Sequence, residues 1–328
     1  MNYICFDLEG PLSPQDNAYD LMKLFPGGDK IFEIISRYDD ILTIEKKENY
    51  EPGDTLALII PFLACHSINE QNVISFASKA TLTGGAGDLI SYLKERGWTV
   101  FCISTSYKPY ALTITGRLGI SADNTACTEF PVEQLSKNFT DSDFQPVKEL
   151  EIKIKDCSNL NDKWIKENLD HFYWQQLTQT KFGNVLDLVK PVGGQKKVNA
   201  LVKFSDRENV PLSDFVAVGD SITDYKMLQT VNGQNGLAIA FNGNAFVLPY
   251  ATIGLASLNI FDLKPLLDIW QDQGRAGAMN WVLNYKSDSS DSNRNNFKWL
   301  DGKKDINEYL QIHRNMRKLV REDAAKLG

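Results

Sequence analysis

A run of apolar residues, Tyr3-Ile4-Cys5-Phe6, leads directly into Asp7-Leu8-Glu9-Gly10-Pro11. Four consecutive apolar residues closed by a Gly-Pro turn signal read as a strand buried on both faces, the kind found in parallel sheets. Such a strand delivers two carboxylates, Asp7 and Glu9, to its C-terminal end, where open α/β sheets place their sites. The pattern recurs at Phe215-Val216-Ala217-Val218-Gly219-Asp220, followed by Asp224 and the helical stretch Tyr225-Lys226-Met227-Leu228. A third apolar run, Thr99 to Ile103, ends in the hydroxyls of Ser104, Thr105 and Ser106. A fourth segment is basic: Gly193-Gly194-Gln195-Lys196-Lys197 opens a helical pattern through Val198, Leu201 and Val202.

Composition sets outer limits. A chain of 328 residues exceeds one typical domain and buries a sizeable core. A net charge of −7 without a basic stripe argues against a nucleic-acid partner. The chain opens on the strand holding Asp7 rather than on a basic start and an apolar stretch, so no secretory signal is expected. The apolar run Leu56 to Ala64 is too short to cross a bilayer, so no membrane partner is expected. Five scattered cysteines without a C-x-x-C pair point to a reducing, cytoplasmic setting. His66, His171 and His313 all lie outside the four segments, which disfavours zinc or histidine catalysis.

Between the first and third segments, Ser13-Pro14 reads as a helix start with Leu21, Met22, Leu24 and Phe25 in period. Asp29 is a candidate cap for a second helix, and Ile59–Leu63 and Val73–Ala77 suggest two more. The glycine-rich Gly84-Gly85-Ala86-Gly87 lacks the lysine and hydroxyl of a phosphate loop and reads as a structural turn. A polar and aromatic stretch over 137–182, with Trp164, Phe172, Tyr173 and Trp174, has a period that fits helices packing on the core. After Leu267 the chain is expected to leave the core, pass a polar linker at 287–296 and end in a helix. The apolar stripe of that helix comprises Ile306, Tyr309, Leu310, His313, Met316, Val320 and Leu327. It must be buried, on its own domain by default or on a second subunit.

Taken together and in this order, the four segments resemble the haloacid dehalogenase (HAD) superfamily, with wording closest to its phosphoserine phosphatase branch. Arg117-Leu118-Gly119-Ile120 and Gly236-Leu237-Ala238-Ile239-Ala240-Phe241-Asn242 add to the likeness. The family usually has aspartate where this chain has Glu9, although a minority of members carry the same Asp-Leu-Glu-Gly. The resemblance implies an α/β fold: a Rossmann-like parallel-sheet core over 1–12, 81–136 and 183–268. It further implies a helical cap over 13–80, a helical insertion over 137–182 and a helical C-terminal extension over 269–328. The implied activity is a Mg²⁺-dependent phosphatase, a phosphoric monoester hydrolase acting on a small phosphorylated metabolite through a phospho-aspartyl intermediate. Phosphoserine is the leading named candidate.

On this reading Asp7 is the nucleophile and Glu9 the general acid and base. Lys197 faces the phosphoryl group as a point charge, with Lys196 and Lys190 as alternatives. Ser104 hydrogen-bonds the phosphate, ahead of Thr105 and Ser106. Asp7, the backbone carbonyl of Glu9 and Asp220 hold the ion, and Asp224 binds it or orients its ligands. Glu33 and Arg37 are cap candidates for the substrate's far end. Two alternatives stand beside this reading: transfer to an acceptor other than water, and a non-catalytic subunit or regulatory partner of a larger complex. In the latter, as in a homo-oligomer, the terminal helix or the 137–182 insertion would be the docking element.

Overall fold

The structure is a computed structural model that describes residues 2–157, 160–286, 296–303 and 306–321. The sheet begins with β1 (Asn2–Phe6). Four helices follow before the next strand: α1 (Asn17–Met22), α2 (Gly28–Ile44), α3 (Thr55–Cys65) and α4 (Glu70–Lys79). The chain returns through α5 (Ala86–Glu95), β2 (Trp98–Tyr107), α6 (Lys108–Arg117) and β3 (Thr125–Thr128). An insertion then contributes α7 (Val132–Ser136), α8 (Asp141–Asp156), α9 (Asp162–His171) and the short α10 (Val185–Leu188). The core resumes with α11 (Gln195–Glu208), β4 (Phe215–Gly219), α12 (Tyr225–Gly233), β5 (Leu237–Phe241) and β6 (Ile253–Ala256). The last described elements are α13 (Lys264–Asn284, broken at Gly274), β7 (Asn296–Trp299) and α14 (Asn307–Arg321).

The seven strands lie in the order β3-β2-β1-β4-β5-β6-β7, all parallel except the antiparallel edge strand β7. Alternation along each strand splits its side chains between two apolar layers. Ile4, Phe6, Val216 and Val218 enter one layer; Tyr3, Cys5, Phe215 and Ala217 enter the other. From β1 the chain works outward to β2 and β3, then crosses back to β4 on the other side. Loops leaving the ends of β1 and β4 therefore diverge, and the crevice between them is the topological switch point at which such sheets bind ligands.

The helices after β1 form a cap. α3 is apolar on every side and packs at its centre, with Leu56 to Ala64 buried. The first cap helix starts at Asn17 rather than at Ser13-Pro14. Asp16 accepts the Tyr19 N–H at 2.9 Å, whereas Ser13 is buried and its hydroxyl is engaged by Thr81 O and the Tyr110 hydroxyl. Likewise Gly27 caps α2, and Asp29 lies inside its first turn. Gly84-Gly85 is a structural turn: Gly84 O accepts the Ile260 N–H at 2.9 Å and Gly85 caps α5.

Three expectations need correction. The 137–182 insertion packs on the cap rather than on the core sheet. Tyr38 of α2 donates to Asp170 at 2.5 Å, Trp174 Nε1 donates to the Tyr38 hydroxyl at 2.8 Å, and Tyr173 donates to Leu58 O at 2.9 Å. Nor does the chain leave the core at Leu267. α13 carries on and buries Trp270, Ala278 and Val282, and β7 completes the sheet with Phe297 and Trp299 turned inward. Finally, the expected stripe packs on its own domain, with Ile306, Tyr309 and Leu310 against the core and His313 and Met316 buried, but it is incomplete: the buried face of α14 also takes in Arg317 and Arg321. Of the linker expected at 287–296, residues 287–295 lie outside the described residues, as does Leu327, and Asn296 opens β7. No helix among the described residues is long and apolar enough to cross a membrane.

Candidate active site

Asp7 and Asp220 are neighbours because β1 and β4 are. Phe6 pairs with Val218 in register, and the Asp7 N–H donates to Val218 O at 2.8 Å. The loop after Asp7 turns sharply, with the N–H groups of Leu12 and Ser13 both returning to Leu8 O. Gly10 makes the turn at φ +99°, and a Cβ there would overlap the Asp220 carboxylate. The glycine thus lets the first loop close over the second acid.

Lys197 lies in the first turn of α11, and its ammonium is fully buried between two carboxylates. Nζ is 2.7 Å from Asp7 Oδ1 and 2.7 Å from Asp224 Oδ1. Burial works against this charge, but Asp224 and Asp7 outweigh it and hold the lysine above its usual value. The Asp7 carboxyl is pushed well up by burial and by Asp224, against the downward pull of Lys197. Of the alternatives, Lys196 pairs with Asp54 of the cap at 3.4 Å, and exposed Lys190 bonds to Asp187 at 2.9 Å. Asp224 is committed on both oxygens: Oδ1 takes Lys197, while Oδ2 accepts the N–H groups of Asp220 at 2.9 Å and Ser221 at 3.1 Å.

Asp7, Asp220 and Asp224 each offer a ligand oxygen within 4.8 Å of the others. Asp220 Oδ1 is buried and, among the described residues, has no hydrogen-bond partner. An unsatisfied buried carboxylate oxygen is costly unless something fills it. An all-oxygen donor set with one such atom fits a hard divalent cation such as Mg²⁺. The Glu9 side chain is not in this cluster.

Glu9 instead faces a cavity of about 420 Å³ beneath the cap, which Asp7, Thr105, Ser106 and Arg37 also line. Its Oε1 accepts the Asn17 N–H at 2.8 Å and the Ser106 hydroxyl at 2.8 Å. Burial and the nearby Asp16 raise the carboxyl to about 7, despite those hydrogen bonds. Ser104 is fully buried, accepts the Ser106 N–H at 3.0 Å and does not face the cavity; Thr105 and Ser106 do. The strand runs on to Tyr107, past the point where the apolar run breaks, so it carries the later hydroxyls to the opening. Arg37 sits at the cap side, paired with Asp162 at 2.7 Å, whereas Glu33 is exposed and outside the lining.

The cap closes against the core through the loop before α3. Glu51 accepts from Lys226 at 2.8 Å, Asp54 pairs with Lys196, and Pro52 O rests where a Cβ on Gly193 would fall. Sequence reasoning missed Arg317 and Arg321, which converge on Asp220 from α14. Their spacing of four residues was readable, but lysines and arginines on a terminal helix usually face water.

A family profile of haloacid dehalogenase-like hydrolases matches residues 69–257. A search of curated proteins finds no match. Among solved structures, gene product AF1437 from Archaeoglobus fulgidus is 25% identical, with 100% of this chain and 99% of that one covered at a TM-score of 0.86. Phosphoserine phosphatase in its apo form is 18% identical over 80% of this chain and 98% of that one, with a TM-score of 0.51. A substrate-bound phosphoserine phosphatase complex is 19% identical over 80% and 97%, with a TM-score of 0.52. With more than half of its length matched by the family profile, and with the sheet order and acid placement described above, the chain belongs to the haloacid dehalogenase-like hydrolases.

Proposed function

We propose that the protein is a phosphatase that hydrolyses a small phosphoric monoester through a phospho-Asp7 intermediate. One observation carries the reading: Asp7 and Glu9 face the same cavity while the buried Lys197 ammonium lies 2.7 Å from Asp7. In the first step an Asp7 carboxylate oxygen attacks phosphorus, the bond from phosphorus to the ester oxygen breaks, and Glu9 gives its proton to the departing alkoxide. In the second, Glu9 takes a proton from water as that water attacks phosphorus, and the bond to Asp7 breaks to release phosphate. Splitting one displacement into two is the use of a carboxylate nucleophile. A carboxyl near 7 serves both as acid and as base around neutral pH. Lys197 offsets the repulsion between Asp7 and an anionic substrate, and the hydroxyls of Thr105 and Ser106, donated in this structure to Val192 O and Glu9, would turn to phosphoryl oxygens. Asp7, the Glu9 carbonyl and Asp220 would hold Mg²⁺, oriented by Asp224, and the ion would supply positive charge at the transferring group.

The cavity volume suits a metabolite rather than a macromolecule. Arg37 beside Asp39 and Asp40 on its cap side presents both charge signs. That arrangement favours a substrate carrying a carboxylate and an ammonium, of which phosphoserine is one. Five scattered cysteines, with no disulfide among the described residues, favour a cytoplasmic setting. A second reading, a non-catalytic subunit, draws on the two arginines already seated on Asp220.

Hydrolysis of an aryl phosphate with Mg²⁺ separates the two. Asp7→Asn is expected to lower kcat by at least about 10³-fold, the scale on which nucleophile removal acts. Equal rates for wild type and variant would leave the scaffold reading standing.

A further inference from the structure

Arg317 and Arg321 sit four residues apart on one face of α14, and both are buried. Arg317 donates Nη1 to the Asp220 carbonyl oxygen at 3.2 Å and also to Oδ2 of the Asp220 carboxylate. Arg321 brings Nη1 to that same Oδ2 at 3.0 Å and ties the helix to the first loop through Nε and Pro14 O at 3.2 Å. Both also border the cavity of Asp7 and Glu9. One guanidinium would neutralise Asp220; the structure supplies two. Asp7, Asp220 and Asp224 therefore face Lys197, Arg317 and Arg321, and the three acids are matched by three cations before any divalent ion arrives.

We propose that Arg317 and Arg321 are positioning residues of the active site that compete with the divalent cation for Asp220. The inference rests on the reading of Asp7, Asp220 and Asp224 as a metal site. Oδ1 of Asp220 has no partner among the described residues, so the arginines weaken ion binding without blocking it. Two like charges on one buried carboxylate repel strongly, because little water screens them. Linkage makes the effect mutual: an ion that is weakened by the arginines must in turn loosen their hold on Asp220. The C-terminal helix thereby senses whether the site is loaded.

The test measures Mn²⁺ affinity by electron paramagnetic resonance on the full chain, comparing wild type with Arg317→Ala, Arg321→Ala and Arg321→Lys. Asp220→Asn marks which ion is the relevant one. Removing either arginine's charge is expected to tighten the Asp220-dependent site by roughly tenfold or more, while Arg321→Lys stays near wild type. Hydrogen exchange on the wild-type chain gives an independent reading should a variant fail to fold: Mg²⁺ is expected to speed exchange across 307–321. Unchanged or weaker Mn²⁺ binding in folded alanine variants overturns the competition, as does Mg²⁺ slowing exchange in that helix. Absence of any Asp220-dependent ion in every protein overturns both the competition and the metal site. Asp7-dependent hydrolysis reports separately on the enzyme reading, so the two failures are told apart.

Discussion

Glu9 shows how one side chain can trade stability for chemistry. It is raised from an ordinary 4.5 to about 7, chiefly because the folded chain takes it out of water beside Asp16. The folded state thus binds a proton that the unfolded chain has released. Stability from this group is present below about 4.5, is lost as pH rises toward 7 and changes no further above it. Glu9→Gln should therefore stabilise the protein by roughly 2–3 kcal/mol at pH 8 and by clearly less at pH 5, read from urea unfolding. The same variant should lose hydrolysis, since the amide can neither give nor take the proton. Lys197 illustrates the opposite arrangement, an ion whose burial is outweighed by two partners at contact distance. The sequence ranks Lys197 ahead of Lys196 and Lys190, and the structure seats Lys197 between the acids. Within α11, helix phase turns Lys197 toward the acids and sends Lys196 to the cap.

At the scale of elements, the cap shares one apolar cluster with the core, and charge pairs in the loop before α3 add to that contact. Glu51 and Lys226 are each partly exposed, so their pair contributes about 0–1 kcal/mol to global stability. Its consequence lies in closure over the cavity, next to Thr105 and Thr223 where Gly53 packs. Glu51→Ala is expected to shift the melting temperature little while raising KM several-fold for a small ester, measured by steady-state kinetics. A large loss of stability with unchanged KM would show the contact to be structural. α14 is held differently. His313 is buried, its Nδ1 accepts the Gly243 N–H at 2.9 Å, and burial lowers it from 6.5 to about 3. Here the unfolded chain binds the proton that the native state refuses. Stability from His313 is whole above about 6.5 and is lost as pH falls toward 3. Urea unfolding between pH 7 and 4.5 should lose on the order of 2 kcal/mol through this group. His313→Gln keeps an acceptor for Gly243, and should flatten that slope.

Across the whole molecule, what could be read directly from the chain was local and periodic. The strands leading into Asp7 and Asp220, the strand that carries Ser104 (though not its end at Tyr107), the helix opening near Lys197 and the helical stretch before β2 were legible because their signals span a few neighbouring residues. The short edge strand β7 was not, since Phe297 and Trp299 alternate over too few residues to stand out beside a polar stretch. Nor could the sequence show where the 137–182 insertion docks. Its aromatic face fits any apolar surface, and Tyr38, Leu58 and Phe62 of the cap are chosen by geometry. The sequence by itself determined the α/β class and the acids that could converge, because strand burial and turn chemistry are written in adjacent residues. Only the tertiary structure decided that Arg317 and Arg321 meet Asp220 across 97 and 101 positions of chain. Helix phase leaves a lysine or arginine free to face water or the interior, and the outcome is set by what the folded sheet places opposite it.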